Sequence, residues 1–103
     1  MDQETLQGVA FEIILSSGDA RTLIHESFAH MRANEFEKAA QKLEDANESL
    51  VNAHKAQTEL LKEYANGETI VMEVIMVHAQ DHLMTTMTLR EVALEMLELY
   101  KRG

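Results

Sequence analysis

The sequence predicts an all-α protein, an antiparallel bundle of three helices that run up, down and up. Three observations predict this fold. The chain of 103 residues has no proline and four glycines, so few residues interrupt long helices. Hydrophobic residues make up 46% of the chain and aromatic residues 5%, so the core is aliphatic, as in helical bundles. Apolar residues recur at helical spacing in three segments joined by two short breaks, which predicts one domain over residues 1–103.

The first helix is predicted over residues 2–33, where apolar side chains recur three and four positions apart. Ser16, Ser17 and Gly18 weaken the middle of this segment and predict a kink there. The first break falls at Asn34, after which a new periodic segment begins. The predicted core positions of the first helix are Leu6, Val9, Ala10, Ile13, Ile14, Leu23, Ile24, Phe28 and Met31.

The second helix is predicted over residues 35–65, and alanines on its apolar stripe allow the neighbouring helices to approach closely. The pair Asn66 and Gly67 is the clearest stop signal in the chain, because both residue types tolerate a positive φ. The predicted core positions are Phe36, Ala39, Ala40, Leu43, Ala46, Leu50, Ala53, Leu60, Leu61 and Tyr64.

The third helix is predicted over residues 70–101, and it carries two apolar faces beside a narrow polar stripe. A bundle core needs only one of these faces, so the other requires a partner surface, and the simplest partner is another copy of the chain. The first face contains Met72, Met76, Ala79, Leu83, Leu94 and Leu97; the second contains Val74, Leu89, Val92, Met96 and Leu99; the polar stripe contains Glu73, Gln80, Glu91, Glu95 and Glu98.

The charge and the residue types that are missing exclude several functions. The formal net charge is −9, so nucleic acid and anionic membranes are poor partners, whereas a basic protein would be attracted. The chain has no cysteine, which excludes disulfides and thiolate chemistry and fits a cytoplasmic protein. The N-terminal stretch starts acidic, so no signal peptide is predicted. No apolar run approaches about 18 residues, the length of a membrane-spanning helix.

His78, Asp81 and His82 form the most unusual cluster in the chain. Their spacing places all three on one side of a helix, on or beside the second apolar face and near the expected subunit interface. One interpretation is structural, with the aspartate orienting a histidine ring. Two functional interpretations compete with this one. The histidines could share a metal ion with the aspartate as third ligand, or an imidazole could act as a nucleophile in covalent phosphoryl transfer. Spacing alone does not choose between them.

The remaining charged residues of interest receive structural interpretations. We expect His25 and His30 to stay solvated on the first helix, and His54 to pack on the alanine-rich side of the second. Asp19 and Arg21 are expected to make local contacts within the first helix.

Four segments, "VHAQDHLMTTM", "SSGDARTLIHES", "NEFEKAAQKLEDA" and "AHKAQTELL", together resemble the IIA component of the lactose/cellobiose/chitobiose phosphotransferase system. The resemblance extends from about Leu6 to Gly103. It implies a cytoplasmic three-helix bundle that assembles as a parallel homotrimer. It also implies that the chain takes a phosphoryl group from the phosphocarrier protein HPr and hands it to a cysteine of the cognate IIB. Sugar is phosphorylated later, during uptake through IIC.

The resemblance also implies roles for individual residues. His78 matches the phosphorylated histidine of the family, and Asp81 matches an aspartate that meets its symmetry mates on the trimer axis, where a divalent cation such as Mg²⁺ binds. Gln80 and His82 match residues close to the active site. With the third helix starting at Ile70, its N-terminus lies about 12 Å along the axis from His78, too far to stabilise a phosphate much.

Two other functions remain as alternatives. A histidine phosphotransfer domain of two-component signalling usually has a lysine and a small residue just after its histidine, where this chain has Asp81, His82 and Leu83. The second alternative is a helical oligomer that a metal ion holds together and that acts as a non-enzymatic scaffold. Within the resembling family, Ala79 favours the cellobiose/chitobiose branch, because lactose members tend to have glycine at that position.

Overall fold

The computed structural model describes all 103 residues, and they form three long helices with no strand. The helices are α1 (Gln3–Arg32), α2 (Phe36–Ala65) and α3 (Val74–Lys101). They lie along the long axis of a rod that measures 52 × 20 × 18 Å. The helix α1 packs along both of the others, and α3 packs less extensively on α2 than on α1. The predicted antiparallel three-helix bundle is confirmed.

The direction of α3 relative to α1 follows from two side-chain contacts between them. Gln7 bonds Glu73 near one end of the rod, and Arg21 bonds Thr85 further along. Residue numbers in α1 and α3 therefore increase in the same direction along the rod. These two helices are parallel, and α2 is antiparallel to both.

Both predicted breaks are found where the sequence places them. Asn34 has a φ of 61°, and Gly67 has a φ of 93°, so each chain reversal uses a residue type that tolerates the left-handed region. At the start of α1, the Asp2 carboxylate accepts a hydrogen bond from the Thr5 backbone N–H at 2.8 Å, which satisfies one of the free donors of the first turn.

The predicted weak point in α1 is not a break, because the helix continues through residues 16–18. Ser17 is fully buried, and a Cβ built on Gly18 would lie 3.7 Å from His82 Nε2. These small residues therefore allow α3 to approach α1 closely. Serine and glycine do disfavour helix, as the prediction of a kink assumed, but tertiary packing outweighs that local preference here.

The helix α3 begins at Val74, four residues later than the predicted start at Ile70. Glu73 is its N-cap, with extended backbone at φ −87° and ψ 161°. The β-branched residues Ile70 and Val71 favour such extended backbone, which lets the connection cross from α2 to α3. As a consequence His78 lies about 6 Å from the start of the helix, one turn in, and not 12 Å. A negative group at His78 is therefore within reach of the positive end of the helix dipole.

The hydrophobic core contains most of the predicted positions, with four clear exceptions. Leu61 and Tyr64 are 58% and 69% exposed on the last turns of α2. Met72 precedes α3 and is exposed, and Leu94 lies at the edge of the buried face. Leu60, on the same turns, is buried, so α2 still packs on the bundle there, while Leu61 lies about 100° around the helix from Leu60. The buried core comprises Leu6, Ala10, Ile13, Ala20, Ile24, Met31, Ala39, Leu43, Ala46, Leu50, Ala53, Leu60, Met76, Ala79, Leu83, Ala93 and Leu97.

The second apolar face of α3 is found on the surface of the chain. Val74, Val92 and Leu99 are 47% to 86% exposed and lie opposite the buried face of the helix, and Val77 and Met84, which the sequence analysis did not assign to this face, are exposed beside them. Leu89 and Met96, which the sequence assigns to this face, are instead half-buried against the core. We call the exposed positions the α3 stripe; it consists of Val74, Val77, Met84, Val92 and Leu99.

Replacing Gly8 with alanine should raise the free energy of unfolding by about 0.5–1 kcal/mol, because alanine loses less backbone entropy in a helix interior. Gly8 lies within α1, and a Cβ built there meets no atom within 4 Å. Gly67→Ala is the matched control and should destabilise the chain, since Gly67 has a φ of +93°. Urea unfolding followed by circular dichroism measures both changes. Equal shifts in the two variants would contradict this account.

Candidate functional site

The two histidines of the unusual cluster stack on the second and third turns of α3. The rings of His78 and His82 are 6.0 Å apart between centroids and inclined by 15°. His78 is exposed, and its ring nitrogens make no hydrogen bond within the chain, whereas His82 is half-buried. The pair therefore combines one imidazole that is open to a partner with one that the fold holds in place.

His82 is held between α3 and α1. Its Nε2 faces Gly18, where a Cβ would lie 3.7 Å away. Burial of the ring lowers the pKa of His82 below its ordinary value, and the positive charges of Arg21 and His78 lower that pKa further, against an opposing effect of Asp81. The lowered pKa favours the neutral ring, which has one nitrogen that can donate a hydrogen bond and one that can accept.

Asp81 lies on the α3 stripe, between Val77 and Met84. It is exposed, and its carboxylate has no hydrogen-bond or ion-pair partner within the chain, although its backbone carbonyl accepts a bond from Thr85 Oγ1 at 2.8 Å. An unpartnered carboxylate in the middle of an apolar surface has no structural role in the isolated chain.

The chain alone does not assemble a metal site. No group of three or more histidine, aspartate or glutamate side chains is arranged to hold an ion. The interpretation in which His78, Asp81 and His82 of one chain share a cation is therefore wrong. A cation at Asp81 would need ligands from outside the chain, such as the same carboxylate in other copies or water.

Gln80 lies on a different side of α3 from His78, since residues two positions apart do not face each other on a helix. It is half-buried, and its Nε2 donates to the Met76 Sδ at 3.6 Å. The structure therefore does not bring Gln80 beside His78 within the chain, and the proximity of Gln80 to the active site stays a prediction.

The other histidines take no part in this site. His25 is exposed, as the sequence predicts, and its ring makes an edge-to-face contact with Phe28. His30 is half-buried and its Nδ1 is 3.0 Å from Glu35 Oε1, so the prediction that it stays solvated is wrong. His54 is exposed on α2, so the prediction that it packs is wrong.

Arg21 is a residue of this region that sequence reasoning missed. It was expected to make local contacts, but its Nη2 donates to Thr85 Oγ1 on α3 at 3.1 Å. A signal was available in the sequence, because Arg21 lies at the edge of the buried stripe of α1 formed by Ser17, Ala20 and Ile24. A cation at the edge of a core stripe is positioned to reach the neighbouring helix.

Comparison with known proteins gives consistent results along the whole chain. The family described as "PTS system, Lactose/Cellobiose specific IIA subunit" matches residues 8–101. The chain is 46% identical over 103 residues to the lactose-specific EIIA component of the phosphotransferase system of Staphylococcus epidermidis, covering 100% of this chain and 99% of that protein. PtcA from S. mutans is 64% identical with a TM-score of 0.97, and the alignment covers 98% of this chain and 99% of PtcA.

A third similar protein has been solved with a partner. IIA(Chitobiose) of the N,N'-diacetylchitobiose branch of the Escherichia coli phosphotransferase system, in its complex with HPr, is 29% identical with a TM-score of 0.80. The alignment covers 99% of this chain and 97% of the other. The chain has no helix that is both long and apolar enough to cross a membrane. The similarity to these proteins, in sequence and in fold, therefore extends over nearly the whole chain.

Proposed function

Because the chain belongs to the lactose/cellobiose-specific IIA family of the phosphotransferase system, we propose that it is a phosphoryl carrier that works in the cytoplasm and uses His78 as its phosphorylated residue. In this proposal, His78 accepts a phosphoryl group from phospho-HPr and passes it to a cysteine of the cognate IIB. The complex of IIA(Chitobiose) with HPr supports HPr as the donor.

The observation that carries this proposal is the contrast between His78 and the other four histidines. His78 is exposed, makes no hydrogen bond within the chain, and stacks beside a second imidazole next to an exposed apolar surface. None of His25, His30 and His54 has an imidazole neighbour. A carrier protein can reach His78 without any rearrangement of the bundle.

The chemistry needs only an unprotonated nitrogen on His78. Its lone pair attacks the phosphorus atom, the new P–N bond forms, and the P–N bond to the histidine of HPr breaks so that its electron pair returns to that imidazole. In the second step, a thiolate of IIB attacks the same phosphorus, the P–S bond forms and the P–N bond to His78 breaks. No oxidant, reductant or proton is consumed in either exchange.

Two features of α3 would stabilise the phosphoryl group, which carries up to about two negative charges. The neutral ring of His82, which its lowered pKa favours, can donate one N–H toward its stacked neighbour. The helix begins only one turn before His78, so its free N–H groups and positive dipole end favour a nearby anion.

We further propose that three copies assemble as a parallel homotrimer through the α3 stripe. This surface is apolar, exposed and opposite the buried face of α3, so another copy of the chain is the simplest cover for it. On a three-fold axis the three Asp81 carboxylates would converge and repel one another. Oxygen ligands of this kind suit Mg²⁺, which would be shared by three Asp81 and water. The unpartnered state of the Asp81 carboxylate in the chain fits this role.

For the transported sugar we propose a β-linked disaccharide of the cellobiose/chitobiose type, with lactose as the second candidate. Ala79 supports the first choice. Relatives named for lactose and for chitobiose both match the chain along its whole length, so the similarity itself does not separate the two. Uptake assays with the cognate membrane component distinguish them.

Reconstitution tests the proposed transfer. With phosphoenolpyruvate, enzyme I and HPr, the chain should acquire one phosphate that is labile in acid and stable in base. Adding the cognate IIB should discharge it, and IIB with its cysteine replaced by serine is the control that should leave it in place. Phosphorylated HPr that transfers nothing to the chain would refute the proposed function.

A further inference from the structure

We propose that Gly18 and Arg21 form a seat on α1 that positions His82 for phosphoryl transfer at His78. This inference rests on the proposed function and assigns two further positioning residues to the same site. Neither residue touches the phosphoryl group in this proposal; both act through His82.

The first contact of the seat is steric. A Cβ built on Gly18 would lie 3.7 Å from His82 Nε2, an ordinary van der Waals distance, so the imidazole faces Gly18 across a space that a methyl group would just fill. Alanine would fit at this position, whereas a longer branched side chain would occupy the space of the ring. A small residue at position 18 thereby keeps open the space that the ring occupies between the two helices.

The second contact of the seat is polar. Arg21 Nη2 donates to Thr85 Oγ1 at 3.1 Å, and the Thr85 hydroxyl lies 2.8 Å from the Asp81 carbonyl and 3.3 Å from the His82 carbonyl. Arg21 therefore ties α1 to the turn of α3 that carries His82. This cross-link sets the register of the two helices at the level of the site.

Arg21 is also an unusual cation for this chain. Like Arg32, Lys55 and Arg102, it belongs to none of the ion pairs of the structure, but those three side chains are exposed. It is half-buried, and its Nε is buried without a hydrogen-bond acceptor. Desolvating a charged group with incomplete partners costs stability, and a glutamine or methionine would pack there at lower cost. A costly residue beside the reacting pair indicates a functional role.

Positioning matters here because His82 must direct a ring N–H toward a group attached to its stacked neighbour. The rings of His78 and His82 are 6.0 Å apart between centroids, so a shift of the His82 ring changes both the distance and the direction of its N–H relative to that group. Misplacement of a catalytic group by 1 Å can cost about 10²-fold in rate.

A double-mutant comparison tests the seat, with the rate of phosphoryl transfer from phospho-HPr as the readout. Arg21→Gln and His82→Ala should each slow transfer by about tenfold. The double variant should lie within about twofold of His82→Ala, because Arg21 acts through that ring. Arg21→Lys should recover part of the rate. Arg32→Gln, an exposed arginine at the end of α1, is the matched control and should transfer normally.

A steric series at Gly18 provides the independent test. Gly18→Ala should transfer at the normal rate, and Gly18→Leu should be as slow as His82→Ala while its helix content is retained. If Gly18→Leu does not fold, the arginine series alone decides. Normal transfer in Arg21→Gln, full additivity of Arg21→Gln and His82→Ala, or normal transfer in His82→Ala would each overturn the seat. These results differ from failure of the proposed function, in which the unmodified chain accepts no phosphate.

Discussion

His78→Ala should reduce phosphorylation of the chain by phospho-HPr by about 10⁴-fold or more, since it removes the nucleophile. His78 is exposed and makes no hydrogen bond within the chain, so its removal leaves the bundle and its core intact. His25→Ala and His54→Ala should transfer normally, because both rings are exposed and lie apart from the stacked pair. His30→Ala should also transfer normally and lose only its contact with Glu35.

The measurement is the amount of acid-labile, base-stable phosphate on each variant after incubation with phosphoenolpyruvate, enzyme I and HPr. Circular dichroism of His78→Ala should match the unmodified chain, which separates loss of the nucleophile from loss of the fold. Phosphate with the same stability on His78→Ala would show that another histidine carries the reaction.

The second large effect is expected at Asp81. Asp81→Leu should abolish binding of a divalent cation while the trimer is retained or strengthened. An apolar side chain would continue the α3 stripe between Val77 and Met84, and it would remove three like charges that repel one another on the axis. Replacing buried charges by apolar groups is often neutral or stabilising by about 1–4 kcal/mol.

Light scattering with and without Mg²⁺ measures this effect. The unmodified chain should have a trimer mass at micromolar concentration, and chelation should loosen the assembly because the repulsion between carboxylates is no longer relieved. Asp81→Leu should show the same mass under both conditions. Asp81→Asn, which keeps the shape and removes the charge, is the matched control and should also lose its response to Mg²⁺. A monomer mass for the unmodified chain contradicts the trimer, and monomers of Asp81→Leu would show that the aspartates stabilise it.

Predictions about secondary structure succeeded where the signal is local. Helical periodicity, Asn34 and the Asn66–Gly67 pair located three helices and two breaks, because a turn residue and the spacing of apolar side chains act over a few positions. The start of α3 was placed four residues early, because periodicity alone does not show that Ile70 and Val71 belong to a connection that must cross the end of the bundle.

The candidate site likewise contains residues that the sequence predicted and residues that it did not. His78, Asp81 and His82 were found from the sequence, since three ionisable residues within two turns of an apolar helix are evident without coordinates. The residues that contact them were not predicted from the sequence. The contact between Gly18 and His82 and the bond from Arg21 to Thr85 join residues that are 64 positions apart.

By itself, the sequence of this protein determined that the chain forms three helices, that α3 has a second apolar face, and which residues are candidates for the chemistry. These properties depend on spacing within one helix. The tertiary structure alone decided which histidine is open to a partner, which is held, and that Arg21 reaches across to α3. Those outcomes depend on the register between α1 and α3, and many weak contacts along the rod set that register together.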